Sequence, residues 1–137
     1  MTAPLVPIPI VPGVAATLAR IALGALFLVH GVPKVRNPKQ TIGFVKSTGF
    51  PGGAAFAVLF ILLEFFGGIA LVLGFLTQIV AALFALEMLA TTIFAKSKLG
   101  KKFVGGYELD VAYLALALAL VFLGAGPWSV DRLVGIA

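Results

Sequence analysis

The chain has no cysteine, one histidine, one tryptophan and only five acidic residues among its 137 positions. Without thiols it can form no disulfide, cysteine-ligated iron–sulfur cluster, thiolate metal site or thiol nucleophile. The single histidine, His30, cannot build bis-histidine haem ligation. His–Met ligation through Met88 would have to bridge about 10 Å or more of membrane depth, given the rise per helical residue. Missing as well are a GxGxxG nucleotide loop, a GxSxG nucleophile elbow and any grouping of side chains with metal-ligand spacing. No metal site and no covalently or side-chain-ligated cofactor is therefore expected. A redox cofactor would have to be membrane-soluble, such as a quinone, or belong to another subunit.

What is present is apolar. Hydrophobic residues make up 61% of the chain and charged residues 11%, and the mean hydropathy is +1.17, far from a soluble domain. A spanning helix takes roughly 20 apolar residues, so a chain of this length holds about four. Four apolar segments occur, at about 14–32, 54–76, 79–95 and 107–123. The expectation is an all-α, integral membrane four-helix bundle in which residues 1–137 form a single transmembrane domain, with the lipid bilayer as its first partner. The third segment is short, and Thr77 with Gln78 reads as a tight turn joining the second and third segments in a hairpin.

The net charge of +5 does not point to nucleic acid, because the basic residues flank apolar runs. PKVRNPKQTIGFVKSTGFPGG carries Lys34, Arg36, Lys39 and Lys46, and KSKLGKKFVGG carries Lys96, Lys98, Lys101 and Lys102. Both stretches fall on one side of the membrane. The positive-inside rule makes that side cytoplasmic and puts both termini outside, in the cytoplasmic (inner) membrane of a prokaryote. The start, MTAPLVPIPIVPG, has four prolines and no positive n-region, so it reads as an extended, uncleaved tail. Trp128 reads as an interfacial belt residue.

Charges inside the spans need partners, since each costs about 2.5–3.5 kcal/mol at mid-membrane on insertion scales. Arg20, Glu64 and Glu87 fall in the first, second and third segments, and an Arg20–Glu64 or Arg20–Glu87 pair is within reach of an arginine side chain. Thr91, one turn from Glu87, is placed to hydrogen-bond it. Arg20, Gly24, Phe27, Gly31 and Lys34 share one face of the first helix, which should turn toward the bundle. One carboxyl is left in excess, and without a cation it favours its neutral form. This polar core of Arg20, Glu64, Glu87 and Thr91 reads either as a network fixing helix register or as a site for a quinone or protons.

In GGYELDVAYLALALAL, Glu108 and Asp110 open the fourth helix, where unpaired N–H groups and the positive end of the helix dipole favour anions. Residues two apart point to nearly opposite faces, so only one of the pair can turn inward. By depth, that one meets His30 and Lys34, forming an inner-mouth cluster of His30, Lys34, Glu108 and Asp110.

The stretches RIALGALFLVHGVPK, EFFGGIALVLGFLT and GGYELDVAYLALALALVFLGAGPWSVDRL together resemble the DoxX family of small four-helix membrane proteins, over almost the whole chain. The resemblance implies a four-helix protein of bacterial or archaeal cytoplasmic membranes. It also implies association with terminal quinol oxidases, thiosulfate:quinone oxidoreductases or oxidative-stress assemblies, and so other membrane redox subunits as partners. The lack of cysteine argues against sulfur chemistry within this chain. Three functions stay open: an accessory subunit of a quinone-linked electron-transfer complex, a quinone-reactive subunit such as that of a thiosulfate:quinone type enzyme, and a small transporter or proton conductor.

Overall fold

Pro12 opens the first helix, because a proline at the first helical position lacks only an N–H that would be unpaired there in any case. The computed structural model describes residues 8–137. Helix α1 runs Pro12–Arg36 and carries Pro33 in its last turn. The extended tail read from the sequence is thus shorter than expected: residues 8–11 are non-helical, Pro12 and Gly13 are already helical, and residues 1–7 lie outside the described residues.

A second helix, α2 (Pro38–Thr48), occupies what the sequence suggested was a basic loop. Pro38 starts it, and Gly49 ends it in the left-handed region at φ 72°. No residue of α2 is fully buried, as expected of a helix lying on the bundle instead of within it. Helix α3 spans Ala54–Leu73 and α4 spans Thr77–Ser97. The last crossing is α5 (Glu108–Leu123), entered through a wide turn at Phe103–Tyr107, and the short α6 (Val130–Leu133) closes the described chain.

These are the four membrane-crossing helices expected, with one boundary corrected. The hairpin turn is Gly74–Leu76, while Thr77 and Gln78 belong to the first turn of α4, which is 21 residues long and of full spanning length. Asp131 is the reason. Its carboxylate accepts from the N–H groups of Leu76 (2.7 Å) and Thr77 (2.9 Å), and its own N–H donates to the Gly74 carbonyl (2.9 Å). A residue 54 positions away in sequence therefore caps α4 and holds Leu76 at the left-handed φ of 50°.

Helix α1 packs along α3, α4 along α5, and α1 also meets α5. Glycines allow the first contact. A Cβ on Gly24 would stand 2.8 Å from the Gly68 carbonyl oxygen, and one on Gly31 would stand 2.9 Å from the Phe65 nitrogen. Arg20, Gly24, Phe27 and Gly31 are all buried, so the predicted stripe does face the bundle. At the centre Phe27 stacks on Phe84 with centroids 3.7 Å apart, beside Tyr113, Leu23, Leu71 and Leu120. Large apolar side chains cover the outside, among them Leu18, Val29, Phe66 and Phe122, where they contact lipid.

Arg20 does not pair with either glutamate. At 1% exposure it donates to four carbonyl oxygens: Leu71 (2.9 Å) and Val72 (2.5 Å) at the end of α3, and Ala125 (3.1 Å) and Trp128 (2.6 Å) after α5. The planar guanidinium supplies donors in several directions at once and ties the last turn of α3 to the segment between α5 and α6. Arg20→Gln should destabilise the detergent-solubilised protein by about 3 kcal/mol or more. Arg20→Lys should recover little of that loss, since an ammonium cannot reach four divergent acceptors. Thermal unfolding measures both, and full recovery by lysine would refute the carbonyl clasp.

Candidate functional site

Midway along α3 is a π-helical turn, Leu63–Gly67, with one residue more than an α-turn. Glu64 lies in it, 6% exposed, and its cation is Lys34: Nζ donates to Oε2 at 2.6 Å and to Oε1 at 2.9 Å. Sequence reasoning assigned Lys34 to the mouth and Arg20 to the glutamates. The correction follows from the close packing of Gly31 on Glu64 and Phe65, which leaves Lys34, one turn further along α1, beside the carboxylate.

Glu87 on α4 is 4% exposed and lies within hydrogen-bonding reach of Glu64, while its Oε2 atom has no partner among the described residues. Thr91 does not satisfy it. The threonine hydroxyl donates backward to the Met88 carbonyl at 3.2 Å, the usual local competitor for a threonine inside a helix. The polar centre is therefore two carboxyls and one ammonium, with a buried carboxyl oxygen left free.

This centre forms the floor of a cavity of about 420 Å³. Lys34, Glu64, Glu87, Thr91, Lys101 and Asp110 are part of its polar lining, and Phe44, Phe50, Phe60 and Phe94 form its aromatic lining. Helix α2 contributes Gln40, Thr41, Phe44, Val45 and Thr48 to the same space, so the helix that was read as a loop forms one wall. The cavity exists because α3 and α4 touch along Leu63–Leu73 and part along Ala54–Leu62. A smaller space of about 210 Å³ adjoins it between α1, α4 and α5, lined by Phe27, His30, Met88 and Tyr113 and sharing Lys34, Glu64, Thr91 and Asp110.

The predicted inner-mouth cluster comes together in part. Asp110 turns inward beside Lys34 and His30. Glu108 stays exposed and accepts from the Gly105 N–H at 2.9 Å, which makes it a local cap and removes it from the mouth. His30 has no hydrogen bond among the described residues, and its ring stands edge-on to Tyr113 with centroids 6.2 Å apart. Trp128 is 64% exposed, as a belt residue should be, while its carbonyl serves Arg20. Tyr113 and the α2 wall were not anticipated. Tyr113 sits in an alternating Ala/Leu tract that gives no hint of its inward direction.

The DoxX family model matches residues 15–97, from α1 through the whole of α4. The chain belongs to the DoxX family. The match includes Arg20, His30, Lys34, Glu64, Glu87 and Thr91 and ends before Asp110 and Asp131. Among relatives, CatD of Bacillus subtilis, which carries the name of an oxidoreductase, is 33% identical over 117 residues, covering 85% of this chain and 84% of CatD. The inner membrane protein YqjF of Escherichia coli is 32% identical over 126 residues, covering 88% and 92%. The inner membrane protein YphA of Escherichia coli is 28% identical over 122 residues, covering 84% and 86%. No solved structure matches the chain.

The Lys34–Glu64 contact yields a direct test. Lys34→Met strands a buried carboxylate and should cost about 2 kcal/mol of stability. Adding Glu64→Gln should return most of that loss. Additive losses in thermal unfolding of the single and double variants would show that the two residues are uncoupled.

Proposed function

We propose that this DoxX protein is the quinone-binding membrane subunit of a redox assembly. One observation carries the reading: a cavity with phenylalanine walls ends on a buried carboxyl pair of which Glu87 Oε2 has no partner. A quinone headgroup is a flat, neutral ring with carbonyls at opposite edges. Aromatic side chains pack against such a ring, and a protonated carboxyl donates to its carbonyl. Lys34 engages Glu64, and Glu87, with its free Oε2, is the member left to meet the headgroup.

Reduction of a quinone to a quinol takes up two electrons and two protons. The electrons come from a redox centre in a partner subunit, since this chain has neither thiols nor a pair of histidines to ligate one. The protons reach Glu64 and Glu87 through Asp110 and His30 in the adjoining space, which gives those residues a role distinct from headgroup contact. The oxidoreductase name of CatD is in keeping with this assignment. The inner-membrane names of YqjF and YphA support the cytoplasmic membrane of a bacterium as its location. The positive-inside rule orients the lysine-rich end toward the cytoplasm and both termini outward.

The test is menadione binding by the purified protein in nanodiscs. Glu87→Gln should weaken binding by about tenfold while leaving the melting temperature near that of the wild type. Asp110→Asn should slow quinone reduction by the donor-loaded assembly more than it weakens menadione. Equal menadione affinity in Glu87→Gln and wild type would defeat the headgroup assignment and leave an accessory role.

A further inference from the structure

The cavity has a lateral exit. Where α3 and α4 part, their lipid-facing sides enclose a groove of about 330 Å³. Phe56, Leu59, Leu63, Leu83, Leu86 and Ala90 line it, and Phe50, Phe60 and Glu87 line both it and the cavity. Apart from Glu87 at its inner limit, the groove offers no polar side chain. Phe50 joins the two spaces: its ring stands edge-on to Phe56, Phe60 and Phe94 with centroids 6.0, 5.5 and 5.0 Å away. Phe56, Leu59 and Leu86 are exposed on this face, so the groove opens into hydrocarbon.

We propose that the groove between α3 and α4 seats the isoprenoid tail of a quinone that enters sideways from the bilayer. This rests on the quinone reading of the adjoining cavity. The continuity of the two spaces through Phe50, Phe60 and Glu87 matches a molecule with one polar end and one long apolar end. The charge of the cavity selects against the other abundant membrane amphiphile. A phospholipid whose acyl chain lay here would press its phosphate toward the Glu64 and Asp110 carboxylates at hydrocarbon depth, where Lys34 is already engaged by Glu64 and Lys101 shares the lining with Asp110. A neutral quinone ring meets no such repulsion. Because a tail leaves lipid for an equally apolar groove, there is no hydrophobic gain, and the groove acts through fit and direction.

The experiment follows position more than affinity. A menaquinone analogue with a diazirine on its first isoprene unit is irradiated with the full chain in nanodiscs, and adducts are mapped by mass spectrometry. Adducts should concentrate at Leu59, Leu83, Leu86 and Ala90 and disappear with excess unlabelled prenylated menaquinone. Ala90→Phe, which fills the groove, should abolish them while menadione binds as it does to the wild type. Adducts spread evenly over lipid-facing positions such as Val29, Phe66 and Phe122, or displaced equally by added phospholipid, would overturn the tail site even if menadione binds. Competed groove adducts without menadione binding would overturn the headgroup reading alone.

Discussion

A charge carried into hydrocarbon must find its partners within the protein, and this structure is organised around how its buried ionisable groups do so. Arg20 takes two carbonyl oxygens in the last turn of α3 and two in the segment after α5. Glu64 takes Lys34 from the far end of the same helix that carries Arg20. Both solutions lie on one stripe of α1, and that helix consequently fixes the placement of α3 at its middle and at its C-terminal end. Gly24 and Gly31 lie between the two anchors, where the backbones come too close for a Cβ.

The two ends are built for different purposes. Around Arg20, the chain after α5 folds back, Asp131 caps α4, and Gly74 is compressed between Ser129 and the guanidinium, where a Cβ would stand 2.5 Å from the serine Cβ. These contacts tie the helix ends to one another, beside a shallow space of about 400 Å³ lined by Gln78, Asp131 and Arg132 and with Thr77 Oγ1 left without a partner among the described residues. At the lysine-rich end the same helices separate, α2 leans over the gap, and the π-turn brings Glu64 to Glu87. Rigidity at one end allows the other to hold an open, polar cavity at membrane depth without the bundle coming apart.

The family match accords with this division. Residues 15–97 carry every polar group lining the cavity except Lys101 and Asp110, together with the whole α2 wall. The closing elements, α5 and the Asp131 cap, lie outside that match. The match thus holds most of the site and the Arg20, Leu71 and Val72 half of the clasp, and α1 couples the two in space.

The sequence by itself determined the class of the molecule. Four apolar runs of spanning length, lysines confined to short flanks and the inward stripe on α1 follow from composition and the helical period, which are local properties. It also marked Glu64, Glu87, His30, Lys34 and Asp110 as groups with no business in lipid. The pairing among them was decided only by the tertiary structure. Arg20 and Lys34 occupy the same face, and which one meets Glu64 depends on the axial register of α1 against α3, set by glycine contacts between distant residues. The capping of α4 by Asp131 and the folding of the basic loop into α2 over a cavity depend in the same way on long-range placement. A helical period repeats identically along its axis, so it can say which face turns inward but never how far one helix slides against another.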